Sequence, residues 1–470
     1  MTIALCVDLD RTLIRTDSLI EGVLALVKRR PQDLARLPLW LARGRAAFKA
    51  EIARRADLNP ASLPYDEAVL ELVRAARAAG RPTWLVTAAD ERTAEAIARH
   101  LGLFDGTISS TGGENLKGEA KARRLVERFG DKGFDYAGDC AADLPVWRHA
   151  RRALVFGTES LARKAAGIAE IERLVVRRGA NGRAIFAAAR VYQWVKNVLI
   201  FVPLLAAHRA VDGEALGQTF IAFLAFGLCA SSVYIVNDLL DLAADRAHPR
   251  KRHRPFASGA LSLGLGLALA PLLLAGAAAL CAILPQAFGL ALAAYYTATL
   301  AYSLVFKHYV LVDIFTLAGL YTVRIVAGAV AAAVPLSFWL LLFSMFLFLS
   351  LAALKRYGEL DALGRESRSH ATSRGYFVQD LAILQTLGIS AGFIAVLVLA
   401  LYINSPEVKA LYRLPEAIWA LCVLVLYWIS RMWLKAHRGA MHDDPIVFAA
   451  RDWISLVVLG VSGAVVLLAV

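Results

Sequence analysis

Past Arg183 the chain strings together nine apolar stretches, each near the roughly 20 residues a helix needs to cross a bilayer's hydrocarbon core, and this alone removes most folds from consideration. They lie at about 186–207, 215–236, 261–284, 286–306, 310–332, 336–354, 380–403, 414–434 and 452–470. Residues 1–183 hold 31 Lys and Arg with 24 Asp and Glu, whereas residues 184–470 hold only 21 and 15. Charged residues thus fall from about 30% to about 13% across one boundary, where soluble domains average about a quarter. The reading is a soluble α/β N-terminal domain followed by an all-α polytopic membrane domain of about nine transmembrane helices.

With the N-terminus inside, the loops after even-numbered spans carry fifteen Lys and Arg and the opposite loops only three, Arg209, Lys409 and Arg413. That asymmetry matches positive-inside topology and predicts an inner-membrane protein with a cytoplasmic N-terminal domain. It also places much of the net charge of +13 at a lipid surface, so no nucleic-acid partner is expected. Asp8 and Asp10 follow a very short apolar run, so no secretory signal is expected. The five scattered cysteines form no CxxC pair and predict neither disulfides nor structural zinc.

Charge within or beside a membrane is costly and marks function. Asn237, Asp241 and Asp245 recur at i, i+4 and i+8 in NDLLDLAAD, which stacks them on one helical face. Like charges so placed repel, and a divalent cation would neutralise them; hard oxygen ligands suit Mg²⁺ carrying a diphosphate. The bland alternative is a solvated acidic helix end. A basic run follows directly, with Arg246, Arg252 and Arg254 as candidate phosphate ligands or, alternatively, lipid-headgroup anchors. A third cluster gathers Lys307, Asp313 and Arg324 with Lys355, Arg356, Tyr357 and Glu359. Arg324 falls inside an apolar span and requires an acid or a bound anion.

These residues resemble the UbiA prenyltransferase superfamily over about 190–470. Within it they are most similar to the decaprenyl-phosphate phosphoribosyltransferase branch, through QWVKNVLIF (193–201), the run Asn237 to Gly259, FKHYVLVDIFTLAGLYTVRIVAG (306–328) and ALKRYGEL (353–360). The resemblance implies transfer of 5-phosphoribose from 5-phosphoribosyl 1-diphosphate to a polyprenyl phosphate. Mg²⁺ would lie on Asn237, Asp241 and Asp245, with Lys196 and Asn197 among the substrate ligands. Where aromatic prenyltransferases of the superfamily have a second acid after the equivalent of Asp313, this chain has Leu317. Cations at Lys307, Arg324 and Lys355 fit a donor with an extra phosphate. The rival is an aromatic prenyltransferase using a prenyl diphosphate and a quinone precursor; a transporter or scaffold would have no use for the metal face.

In the soluble half, IALCVDLD reads as a buried parallel strand ending in Asp8 and Asp10. A second strand, Thr83 to Val86, ends in Thr87, and a third, Phe134 to Ala137, ends in GDCAAD. Helical stretches at 66–79, 90–101 and 117–129 give βαβ alternation, with chemistry at the carboxyl strand ends. The order DLDRT, Thr87, NLKGEAK, GDCAAD resembles the haloacid dehalogenase superfamily over about 1–165. That resemblance implies a Mg²⁺-dependent phosphatase: Asp8 as nucleophile, Asp10 as general acid/base, Thr87 and Lys117 on the phosphate, and Asp139 with Asp143 joining Asp8 and Asp10 at the metal. Lys121 rivals Lys117. A helical cap is expected at about 18–64, its segment LARLPLWLARGRAAF placed either on a membrane surface or in an internal core. A linker is expected at 166–185, before the membrane domain at 186–470.

Overall fold

The computed structural model describes residues 3–111, 114–177, 181–365, 374–409, 412–441 and 444–469. Arg368, one of the inside-loop cations counted above, and Arg178 of the expected linker lie outside the described residues. The chain divides into two compact units, residues 1–189 with 234–270, and residues 190–233 with 271–470. The acidic motif and the basic loop, within 234–270, fall in the first unit.

In the first unit six strands form one parallel sheet: β1 (Ala4–Val7), β2 (Thr83–Asp90), β3 (Gly106–Ser110), β4 (Phe134–Gly138), β5 (Arg152–Gly157) and β6 (Glu170–Val176), in the order β3-β2-β1-β4-β5-β6. β1 shows no polar alternation because both of its faces are covered. Ala4 and Cys6 enter one core with Phe134, Tyr136 and Trp147, while Leu5 and Val7 enter the other with Val69, Leu85 and Ile97. The sheet extends further than expected, since β6 pairs with β5 inside the segment read as a linker. Chain order reverses direction at β1, so the carboxyl ends of β1, β2 and β4 meet at the crevice where α/β sheets place their ligands.

The cap is helical as expected, with Ser18–Arg29, Pro31–Arg36, Leu37–Ala42 and Arg45–Arg55. Trp40 is buried with Leu26, Ile52 and Ala56, whereas Leu34, Leu39 and Leu41 are exposed, so its amphipathic segment supplies both a core face and an apolar outer face.

Seven helices are long and apolar enough to cross a membrane: Gly213–Leu240, Leu263–Cys281, Gln286–Leu304, Val312–Ala331, Phe338–Arg365, Val378–Ile403 and Pro415–His437. A bent pair, Gly182–Ala189 with Val191–Ala206, makes up to eight, and Trp453–Ala469 is a shorter apolar helix. These nine segments coincide with the nine expected, and the chain is a multi-pass membrane protein. The first is broken at Arg190, whose φ of +49° no helix accommodates.

Small residues set the packing in the second unit. A Cβ on Gly328 would overlap the carbonyl of Ile200, and one on Gly388 would strike the ring of Trp433. Because Gly328 and Ile200 touch, side chains one turn earlier on each segment, Arg324 and Asn197, are brought together.

Candidate functional site

At the β1 end, Asp8 is buried and accepts a hydrogen bond from Lys121 Nζ at 2.8 Å. Lys121 rides on the helix Glu119–Phe129, whose entry at Gly118 has φ +60°, a conformation that favours glycine. Its Nζ also lies 2.8 Å from Tyr136 Oη and 3.6 Å from Asp143. Asp10 accepts from the Ser18 amide at 2.7 Å, tying the nucleophile loop to the start of the cap. Thr87 is fully buried within β2, which runs on past it to Asp90, and its hydroxyl accepts from the Ala89 amide. Asp143 accepts from the amides of Asp139 and Cys140 and from Tyr136 Oη. Gly138 is required there because a Cβ would lie 2.7 Å from that carboxylate.

Burial dominates the electrostatics. It raises Asp8 to about 8, against the opposing pull of Lys121, Asp10 to about 6 with Asp17 adding, and Asp139 to about 7 with Asp143 adding. Burial disfavours the charge on Lys121, but Asp8 and Asp143 outweigh it and hold the amine protonated. Four acids with one buried lysine call for a further cation, and Asp139, Cys140 and Asp143 offer ligand atoms within 4.8 Å of one another. The carboxylates of Asp139 and Asp143 are hard oxygen donors that fit Mg²⁺ and would hold it.

Lys121 is therefore the lysine at Asp8, and Lys117 is exposed. Lys121→Met should lower hydrolysis of p-nitrophenyl phosphate by the full chain about a hundredfold or more, and Lys117→Met should change it little. Equal losses would return the phosphate-holding role to Lys117. Sequence reasoning missed Lys49 of the cap helix Arg45–Arg55, which donates to the Ala88 carbonyl and to Asn115 Oδ1. It lines a cavity of about 40 Å³ with Asp10, Ser18, Gly22 and Ile52.

The acidic motif departs from a continuous helical face. The helix ends at Leu240, and Asp241 has φ −101° and ψ +16°, although its carbonyl still accepts from the Asp245 amide at 2.8 Å. Arg254 bridges Asp245, at 2.6 Å, and Asp238, at 3.1 Å, while Lys28 reaches Asp241 at 2.7 Å. Asp238 was not foreseen. Three carboxylates and the Asn237 amide are hard oxygen donors suited to Mg²⁺, and cations already stand beside them. The half-exposed Lys28–Asp241 pair is worth little and is readily exchanged for an ion. Arg246 is spent on structure instead, buried against Glu21 and bonded to the Ala257 and Ser62 carbonyls. Arg252 is exposed beside His253.

In the second unit Lys196 and Lys355 converge on Asp444, at 2.8 and 3.1 Å, and Tyr321 Oη donates to the same carboxylate. Arg324, buried, donates to Asn197 Oδ1 at 2.9 Å and to Tyr295 Oη at 3.0 Å. Asn197 is 1% exposed, and its Nδ2 has no hydrogen-bond partner among the described residues. Among the described residues two lysines share the one carboxylate of Asp444, and with the spare buried donor of Asn197 they form a site for an anion. Residues 198–456 match the model of the UbiA prenyltransferase family, more than half of the chain.

This chain belongs to the UbiA prenyltransferase family.

Residues 5–148 of this UbiA-family chain match a haloacid dehalogenase-like hydrolase model, so it is an enzyme that joins a transferase domain to a hydrolase domain. It is 40% identical to the uncharacterized protein y4nM of Sinorhizobium fredii over 95% of its own length and 87% of the relative's. Identity to the nodulation protein NoeC of Azorhizobium caulinodans is 41%, over 60% of this chain and 92% of that protein. Identity to the decaprenyl-phosphate phosphoribosyltransferase of Mycolicibacterium smegmatis is 35%, over 44% of this chain and 67% of that one.

Part of the third cluster in this UbiA-family chain is paired internally. Asp313 is fully buried between Arg356 and Tyr376, and Arg356 also pairs with Glu359. Tyr357 Oη meets His437 Nδ1 at 2.9 Å. Asp313, Arg356, Tyr357 and Glu359, expected to bind substrate, are thus each engaged with a protein neighbour here. Lys307 lies half-buried in the turn Phe306–His308. Asp444 was missed because it is far from the other members in sequence and sits in a polar loop; two acids before Pro445, in an otherwise basic inside loop, were the available signal.

Proposed function

We propose that the chain transfers 5-phosphoribose from 5-phosphoribosyl 1-diphosphate to a polyprenyl phosphate at the inner membrane, and that its cytoplasmic N-terminal domain then removes the 5-phosphate. The observation that carries this reading is the surplus of positive charge where Lys196 and Lys355 share the one carboxylate of Asp444, with the unpartnered donor of Asn197. A prenyl diphosphate held through metal needs no such surplus, whereas a donor with a second phosphate does. The name carried by the mycobacterial relative supports the same reading.

In the transfer, an acceptor phosphate oxygen bonds to the anomeric C1 as the C1–O bond to diphosphate breaks, and diphosphate leaves with the electron pair. The acceptor is already anionic, so positioning and electrostatics carry the step without a general base. When bound at Asn237, Asp241 and Asp245, Mg²⁺ supplies charge neutralisation for the diphosphate. In the hydrolysis, an Asp8 oxygen attacks phosphorus and Asp10 gives its proton to the departing ribose O5. Water then attacks the aspartyl-phosphate, losing its proton to Asp10, and phosphate is released. Lys121 holds Asp8 in place and balances the charge that builds on the phosphoryl oxygens.

The test is to incubate the purified full chain with Mg²⁺, polyprenyl phosphate and ribose-labelled 5-phosphoribosyl 1-diphosphate, then weigh the extracted lipids. Ribose-labelled lipid that disappears in Asp241→Asn is expected. No labelled lipid, together with prenyl label entering 4-hydroxybenzoate, would replace the reading with an aromatic prenyltransferase.

A further inference from the structure

Beside Asp444 the second unit holds a cavity of about 240 Å³, lined by Tyr192, Gln193, Asp444, Val447 and Arg451. Its chemistry differs from that of the cationic cluster next to it. Gln193 Oε1 is buried and finds no donor among the described residues. The Asp444 carboxylate accepts from Lys196, Lys355 and Tyr321 on its other sides. The cavity therefore presents one buried acceptor that lacks a donor, Gln193 Oε1, beside a carboxylate on which two amines converge. A buried acceptor left alone costs about 1–3 kcal/mol, so its natural complement is a ligand that brings hydroxyl hydrogens and negative charge on one small frame.

We propose that Gln193 and Asp444 form the sugar subsite of the transferase, receiving the ribose hydroxyls of the donor while Lys196 and Lys355 take its phosphate. A prenyl diphosphate carries no hydroxyl and would leave Gln193 Oε1 unpaired, so the pair selects a sugar phosphate over an isoprenoid donor. Sites built to bond a substrate hydroxyl discriminate in this way far more strongly than apolar pockets do. The inference deepens the transferase reading above and rests on it.

The test uses the full chain in nanodiscs, measuring binding of 5-phosphoribosyl 1-diphosphate and of inorganic diphosphate to wild type, Gln193→Leu and Gln193→Glu. Gln193→Leu keeps the side-chain bulk and removes the acceptor. It should weaken 5-phosphoribosyl 1-diphosphate about tenfold or more while leaving diphosphate unchanged, and Gln193→Glu, which keeps an acceptor, should retain more of the affinity. Equal weakening of both ligands would make Gln193 a structural residue, and no weakening of either would place the ribose elsewhere; each overturns the inference. Wild type that binds geranyl diphosphate but not 5-phosphoribosyl 1-diphosphate would overturn the transferase reading itself.

Discussion

Asp8→Asn should stop the hydrolase and spare the transferase, so that the lipid product keeps its 5-phosphate. Asp8 lies at the strand end with Lys121 2.8 Å away, and no other carboxylate among the described residues shares that amine as closely. An amide cannot form the acyl phosphate, and loss of a covalent nucleophile costs on the order of a thousandfold or more. Fold is not at stake, because Asn preserves shape and the hydrogen bond while removing a carboxyl group that burial already holds up near 8. Mass analysis of extracted lipid separates the phosphorylated from the free 5-position. Free ribosyl lipid forming at the wild-type rate would remove the 5-phosphate from the list of substrates and leave the N-terminal domain acting on another ester.

The second large effect is expected on the membrane side. Lys196→Met should reduce phosphoribosyl transfer about a hundredfold, or roughly 3 kcal/mol, with p-nitrophenyl phosphate hydrolysis unchanged. Lys196 is 8% exposed, and its amine is one of only two that reach Asp444 among the described residues. Without it, Asp444 keeps Lys355 and Tyr321, so the acid is not stranded, but the site loses one of its two lysines. Lys196→Arg keeps the charge and should recover part of the rate. Transfer and thermal stability are measured on the same preparations. A fall in melting temperature with transfer per folded molecule intact would assign Lys196 to packing.

How far the sequence announced this enzyme depends on whether chemistry and periodicity coincided. β1, β2 and β4 were legible because each is an apolar run ending in a motif residue: Asp8, Thr87 and Asp139. β3 and β5 carry no such marker, and β6, EIERLVV, interleaves charge with apolar residues as an edge strand does, so it read as a linker. The spans were legible from hydropathy alone, since lipid leaves helices little alternative. Which lysine meets Asp8 was ambiguous because Lys117 and Lys121 share one short segment; in the fold it is Lys121, on the helix entered through the positive-φ Gly118. The pairing inside the third cluster was not legible, because charge near a membrane marks both sites and struts. Arg356 and Asp313, separated by 43 positions, neutralise each other completely enough to be invisible as a pair until they are folded.

The anion site has an awkward genealogy during synthesis. Lys196 belongs to the first apolar segment and Asp444 to the loop before the last, so their contact closes nearly the whole length of the membrane domain. The phosphatase sheet is complete by Val176. On the ribosome the hydrolase strands therefore all exist before a single span does, whereas the transferase pocket has no counter-charge until almost the final helix is made. A nascent chain paused anywhere earlier has made Lys196 without the acid it pairs with, while every strand of the hydrolase sheet is already in hand.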